Sequence, residues 1–163
     1  MIQGTIKTQQ GITLIELVVV IAIMGIIAGF AVPSFSGLIA QARLKLVIET
    51  LRSDLLDAQR RTLAHGAAGA ATVAFVDGST WSYVISGSKS LSRDHSQFAG
   101  SVTLTSSFTN DTFTITQKMQ HHQQASTLGN IQVSNSDSSA TVSQSASGVI
   151  SVCSNDSMGY AAC

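Results

Sequence analysis

Residues 9–35 read QQGITLIELVVVIAIMGIIAGFAVPSF. From residue 17 to residue 32 every side chain is apolar or glycine, and extending back to residue 12 adds only Thr13 and Glu16. A helix of about 21 residues spans about 30 Å, the hydrocarbon thickness of a bilayer. The stretch is therefore long enough to be a membrane span. Its oddity is Glu16. A carboxylate inside a membrane costs about 2.5–3.5 kcal/mol, so it normally has a partner or a task.

No cation lies within one helical turn of Glu16 in the uncut chain. Cutting after Gly11 would create one, because Ile12 would then carry a free ammonium group. Within one helix that group and Glu16 would stand four residues apart. In an assembly the ammonium of one chain could meet Glu16 of the next. An ordinary secretory signal fits less well. The preceding MIQGTIKTQQG is polar with the single cation Lys7, and no small-residue cleavage signal follows the apolar run.

These residues resemble the class III leader of type IV pilins and type II secretion pseudopilins. In that family a prepilin peptidase cuts after the glycine, here Gly11, and the new first residue, here Ile12, is N-methylated. The family glutamate, here Glu16, docks the incoming subunit, and the family proline falls at Pro33. The usual first residue is Phe, where this chain has Ile. The resemblance implies no cofactor and several partners: other pilins or pseudopilins, an inner-membrane assembly platform and the peptidase. It implies a single-pass protein of the bacterial inner membrane, head in the periplasm, that later enters a pilus or pseudopilus. Gly25 and Gly29 add a G-x-x-x-G step, which lets helices approach closely in lipid.

After Pro33 the pattern turns periodic. Leu44, Ile48, Leu51, Leu55, Ala58 and Thr62 recur every three to four residues on one helical face, with Arg43, Lys45, Glu49, Arg52, Asp54 and Arg60 mostly off it. One helix of some fifty residues follows, bent at Pro33 and ended near His65 and Gly66. Arg60, Arg61 and His65 lie at its C-terminal end, where cations are favoured without any ligand.

Beyond residue 66 come seven short alternating runs, at 71–76, 80–85, 101–105, 112–117, 130–134, 140–144 and 148–153. They predict an antiparallel β head of two small sheets, with Asp77-Gly78 as a hairpin signal and 86–100 as a polar surface loop. The fold class is thus α+β, a long N-terminal helix packed on a β head, as in the pilin fold. Its divisions are a cleaved leader (1–11), a membrane or filament-core helix (12–33), an amphipathic helix (34–66) and the head (67–163). The two cysteines, Cys153 and Cys163, suit a terminal disulfide in an exported protein.

Residues 50–85 and 128–153, with Trp81 and GVISVC, also resemble the GspH/FimT group of minor pilins and pseudopilins. Some FimT-type members take up DNA through a last strand resembling GRxRxC. Here the same stretch is Gly148, Val149, Ile150, Ser151, Val152, Cys153, with both arginines replaced. The head carries Lys89, Arg93 and Lys118 against Asp77, Asp94, Asp111, Asp137 and Asp156, a net −2, which offers a polyanion no footprint. No catalytic motif is present, and His121-His122 on a strand would point to opposite faces, so neither an enzyme nor a metal site is expected. The expected function is structural: a minor pilin or pseudopilin. The rival is a filament-tip binding module, an adhesin or DNA receptor.

Overall fold

The structure is a computed structural model. It describes residues 12–65, 70–98, 100–115, 127–145, 148–156 and 158–163, and the side chains of 30–34, 127 and 128 also lie outside the described set. The chain divides into two compact units, Met1–Gly37 and Leu38–Cys163. Helix α1 covers Leu14–His65. The bend expected at Pro33 falls outside the described residues.

In the first unit the described side chains of residues 12–29 are all exposed. Among the described residues no helix is long and apolar enough to cross a membrane. The apolar run whose side chains are described ends at Gly29, short of the full stretch read from the sequence.

The second unit holds the core. Eight strands follow α1: β1 (Ala71–Val76), β2 (Ser82–Ser86), β3 (Leu91–Asp94), β4 (Thr103–Ser106), β5 (Thr112–Ile115), β6 (Thr127–Ser134), β7 (Ser139–Ser145) and β8 (Ile150–Ser154). They form two four-stranded antiparallel sheets, ordered β3-β2-β1-β5 and β4-β6-β7-β8. The chain thus crosses to the second sheet at β4 and returns for β5. Alternation sends Val73, Phe75, Ile85, Leu104, Phe113, Ile131, Val133 and Val142 inward. They meet the stripe Leu44, Val47, Ile48, Leu51, Leu55 and Ala58 of α1 in one buried cluster. Thr62 closes the stripe, its hydroxyl donating to the Ala58 carbonyl at 3.0 Å, so its burial leaves no unmet polar group.

Two expectations are corrected. Residues 86–100 are not simply a loop, because β3 pairs with β2 there in the register Tyr83↔Arg93 and Ile85↔Leu91, followed by a 3₁₀ turn at His95–Gln97. One apolar residue is enough, since β3 is an edge strand whose other inward residue, Arg93, finds a charge. Asp77-Gly78 does join β1 to β2, but through residues 77–81 rather than a two-residue turn. Gly78 instead pairs with Leu104 of the other sheet (N–H to O 2.8 and 3.2 Å), and Asp77 Oδ2 accepts from the Ser106 N–H at 2.8 Å. Gly78 has φ +110°, which an L side chain rarely adopts. Trp81 continues the same seam, its indole N–H donating to the Val102 carbonyl at 2.9 Å.

Candidate functional site: the amino-terminal helix segment and its anchored head

Helix α1 begins on a cap. Thr13 Oγ1 accepts the backbone N–H of Glu16 at 3.3 Å, and the Thr13 carbonyl accepts from Leu17 at 3.2 Å. This is the backbone half of a T-x-x-E capping box, which satisfies one of the donors left open at a helix start. The pattern stands in the sequence at residues 13–16 as Thr13-Leu14-Ile15-Glu16. It places the Glu16 carboxylate in the first turn, at the positive end of the helix dipole, where a negative charge is favoured. The carboxylate makes no hydrogen bond or ion pair with any other described residue. It stands exposed among exposed neighbours, with Ile15 at 68% and Leu17 at 57% of full exposure.

Gly25 and Gly29 also face open space: a Cβ added at either would meet nothing within 4 Å. Among the described residues no packing requires a glycine at those places. Ile12 is exposed, whereas Gly11 lies outside the described residues, as do the side chain of Pro33 and the pair His121-His122. Among the described residues no group of three or more potential metal ligands comes together.

The head is tied to its own stretch of α1 by polar contacts at two levels. Asp54, nearly buried, takes the Tyr83 hydroxyl at 2.8 Å and the Arg93 Nε–H at 3.1 Å on the same oxygen. Burial first, then the Asp54 charge, push the Tyr83 hydroxyl far above the usual phenol range. Asp57 pairs with Arg61 one turn on, at 2.7 Å, and the hydrogen bond from Arg61 holds its carboxyl below the usual range. This accounts for Arg61 without a ligand.

The second level is the C-terminal loop. Cys153 and Cys163 form a disulfide with Cα atoms 4.9 Å apart. The loop between them lies on α1: the Tyr160 hydroxyl donates to Glu49 Oε1 at 2.6 Å, the Lys45 ammonium donates to the Met158 carbonyl at 3.3 Å, and Met158 is buried. Burial and the neighbouring Glu49 raise Tyr160 as well. Just before β8, the Gly148 carbonyl accepts from Gln59 Nε2 at 2.9 Å and Val149 stands 61% exposed.

Residues 6–32 match the prokaryotic N-terminal methylation motif, a type IV pilin-like leader. The match ends one residue short of Pro33 and includes Gly11, Ile12, Glu16, Gly25 and Gly29. No solved structure matches the chain.

Proposed function

We propose that this protein is a minor pilin or pseudopilin of the GspH/FimT group, a structural subunit rather than an enzyme. In this reading the leader is removed after Gly11 and Ile12 is methylated. Residues 12–33 hold the chain in the bacterial inner membrane with its head in the periplasm. The chain then enters a short pilus or pseudopilus through lateral packing of that segment.

The observation that carries the reading is the methylation motif over 6–32 coinciding with a helix start at which Glu16 is capped on its backbone side and, among the described residues, unpaired on its carboxylate side. A lone carboxylate in an apolar segment favours any state that supplies it a cation. Processing supplies one per chain, the ammonium of Ile12. Among packed subunits that ammonium neutralises Glu16 of a neighbour, so the insertion cost of about 2.5–3.5 kcal/mol is relieved on assembly. The exposed step at Gly25 and Gly29 supports close helix approach in the same segment.

The test is Glu16→Ala and Glu16→Gln, expressed in cells that carry the rest of the pilus or secretion machinery. Membrane fractionation should be unchanged for both. Incorporation into sheared filaments, or co-purification with the other pilins, should fall at least tenfold. Normal incorporation of Glu16→Ala would reject the pairing, whereas absence of the unaltered chain from filaments and from the other pilins would leave a simple membrane-anchored β protein.

A further inference from the structure

Strand β3 ends the first sheet. β2 pairs with one side of it, and among the described residues no strand pairs with the other. The His95 N–H donates to the Trp81 carbonyl at 3.0 Å, which continues the β2–β3 register by one pair. Backbone groups alternate sides along a strand, so those of Arg93 turn toward β2 and those of Ser92 toward the open edge. Beside that edge lies a recess of about 210 Å³, walled by β3 on one side and α1 on the other. Lys89, Leu91 and Arg93 line it at alternate positions, and Ile85, the partner of Leu91, and Ala58 of α1 add apolar wall. The charges in the wall do not cancel. Asp54 holds Arg93 and Asp57 holds Arg61, which leaves Lys89 as a surplus cation with no ion pair among the described residues.

We propose that β3 is a docking edge for an extended segment of another protein, one that carries an aspartate or glutamate two residues from an apolar residue. Each part of the site chooses a part of this ligand. The outward backbone of Ser92 takes a strand by main-chain hydrogen bonds, as in β-strand addition. The added strand stands about 4.8 Å beyond β3, and its inward side chains, two residues apart, enter the recess. One of them meets Leu91 and Ile85 and is apolar. The next meets the ammonium of Lys89 and is acidic. The space suffices, since an apolar cavity of about 150 Å³ holds benzene. This chain does not supply the segment itself. All nine of its Asp and Glu residues lie among the described residues, so the undescribed segments, 66–69 and 116–126 included, contain none. The β3 edge of a second copy is refused as well, because cation would face cation. The site lies wholly within Leu38–Cys163, and its use does not rest on the filament reading.

The probe is a dye-labelled peptide capped at both ends, Thr-Ser-Asp-Thr-Val-Thr-Ser, added to the full-length chain in a zwitterionic detergent and read by fluorescence anisotropy. Saturable binding with a Kd below about 1 mM is expected, and weaker binding of the same peptide with lysine in place of aspartate. Lys89→Glu should lower the affinity for the aspartate peptide about three- to tenfold and reverse the order of the two peptides. Ser92→Pro should abolish binding of both, because it removes the outward N–H while the pairing with β2 stays. Circular dichroism checks that each variant folds. Lys89 is exposed, so its variant decides the matter even where the proline disturbs the strand. No saturable binding, equal binding of the two peptides by the unaltered chain, an order left unchanged by Lys89→Glu, or full binding by folded Ser92→Pro would each overturn the proposal.

Discussion

One helix, α1, carries two opposite patterns. Over residues 14–29 it is apolar on all sides apart from Glu16 and the small residues, and every described side chain there is exposed. Over 44–62 it is apolar on one stripe, and that stripe is buried, with Leu44, Ile48 and Leu51 at 0% exposure. Helix formation does not separate the two, since α1 runs through both. What separates them is what each finds to cover it. The second stretch meets two sheets of its own chain. The side chains of the first are exposed, and each large apolar side chain left in water forgoes about 1.5–3 kcal/mol. A helix that is hydrophobic all round asks for lipid or other helices. The functional reading proposed above supplies both in turn.

The comparison can be broken by mutation. Aspartate at Leu51 should abolish folding of the head, because it buries an unpaired charge among Leu44, Ile48 and Leu55. Aspartate at Ile21 should leave the head's urea transition where it was, since that side chain is 59% exposed and touches no core. Equal losses at both positions would mean that the two stretches are not independent.

Next in size is the terminal disulfide. Replacing Cys163 by Ser should lower the unfolding free energy by about 2–3 kcal/mol on the chain-entropy account of a ten-residue loop. It should also raise proteolysis near Tyr160, because the loop held against Lys45 and Glu49 is released.

Asp54→Asn should cost about 1–2 kcal/mol. It keeps the shape but removes the charge that accepts from both Tyr83 and Arg93. A change of the same size on exposed Asp57 is not expected, since a surface pair contributes little.

The mildest effect is the pH dependence. The chain has two tyrosines, Tyr83 and Tyr160, and both are raised in the folded state. In the unfolded chain each loses its proton near the ordinary phenol value, while in the folded chain it keeps it. Stability is therefore full below that value and falls as pH climbs from it toward the folded values. Ultraviolet titration should show almost no tyrosinate at the ordinary phenol midpoint while circular dichroism is still native. A normal two-tyrosine titration in the folded protein would contradict the Asp54 and Glu49 contacts.

Much of this was legible in the sequence, for physical reasons. The stripe from Leu44 to Thr62 shows as a 3.6-residue period, and Val47 escaped it only because it sits beside Ile48 on the stripe's edge. Alternation of apolar and polar residues marked seven of the eight strands. β3 was hidden because an edge strand with one apolar residue, Leu91, has no period to read. The role of Gly78 was hidden for another reason: a turn signal says that the chain reverses, not which other strand the turn touches. The same holds for Tyr160 on Glu49 and Tyr83 on Asp54, contacts between residues far apart in sequence. The Thr13 cap is different. Its T-x-x-E signature was in plain view, but the apolar run drew the reading of Glu16 toward membrane cost alone.

The central claim is that the unpaired carboxylate of Glu16 is met by an ammonium group created when the leader is removed. The direct measurement is the intact mass of the protein purified from membranes of cells with an active prepilin peptidase. The account predicts a chain that begins at Ile12 and carries one added methyl group. A mass that still includes Met1 in such cells would contradict it, because Glu16 would then have no such cation to meet.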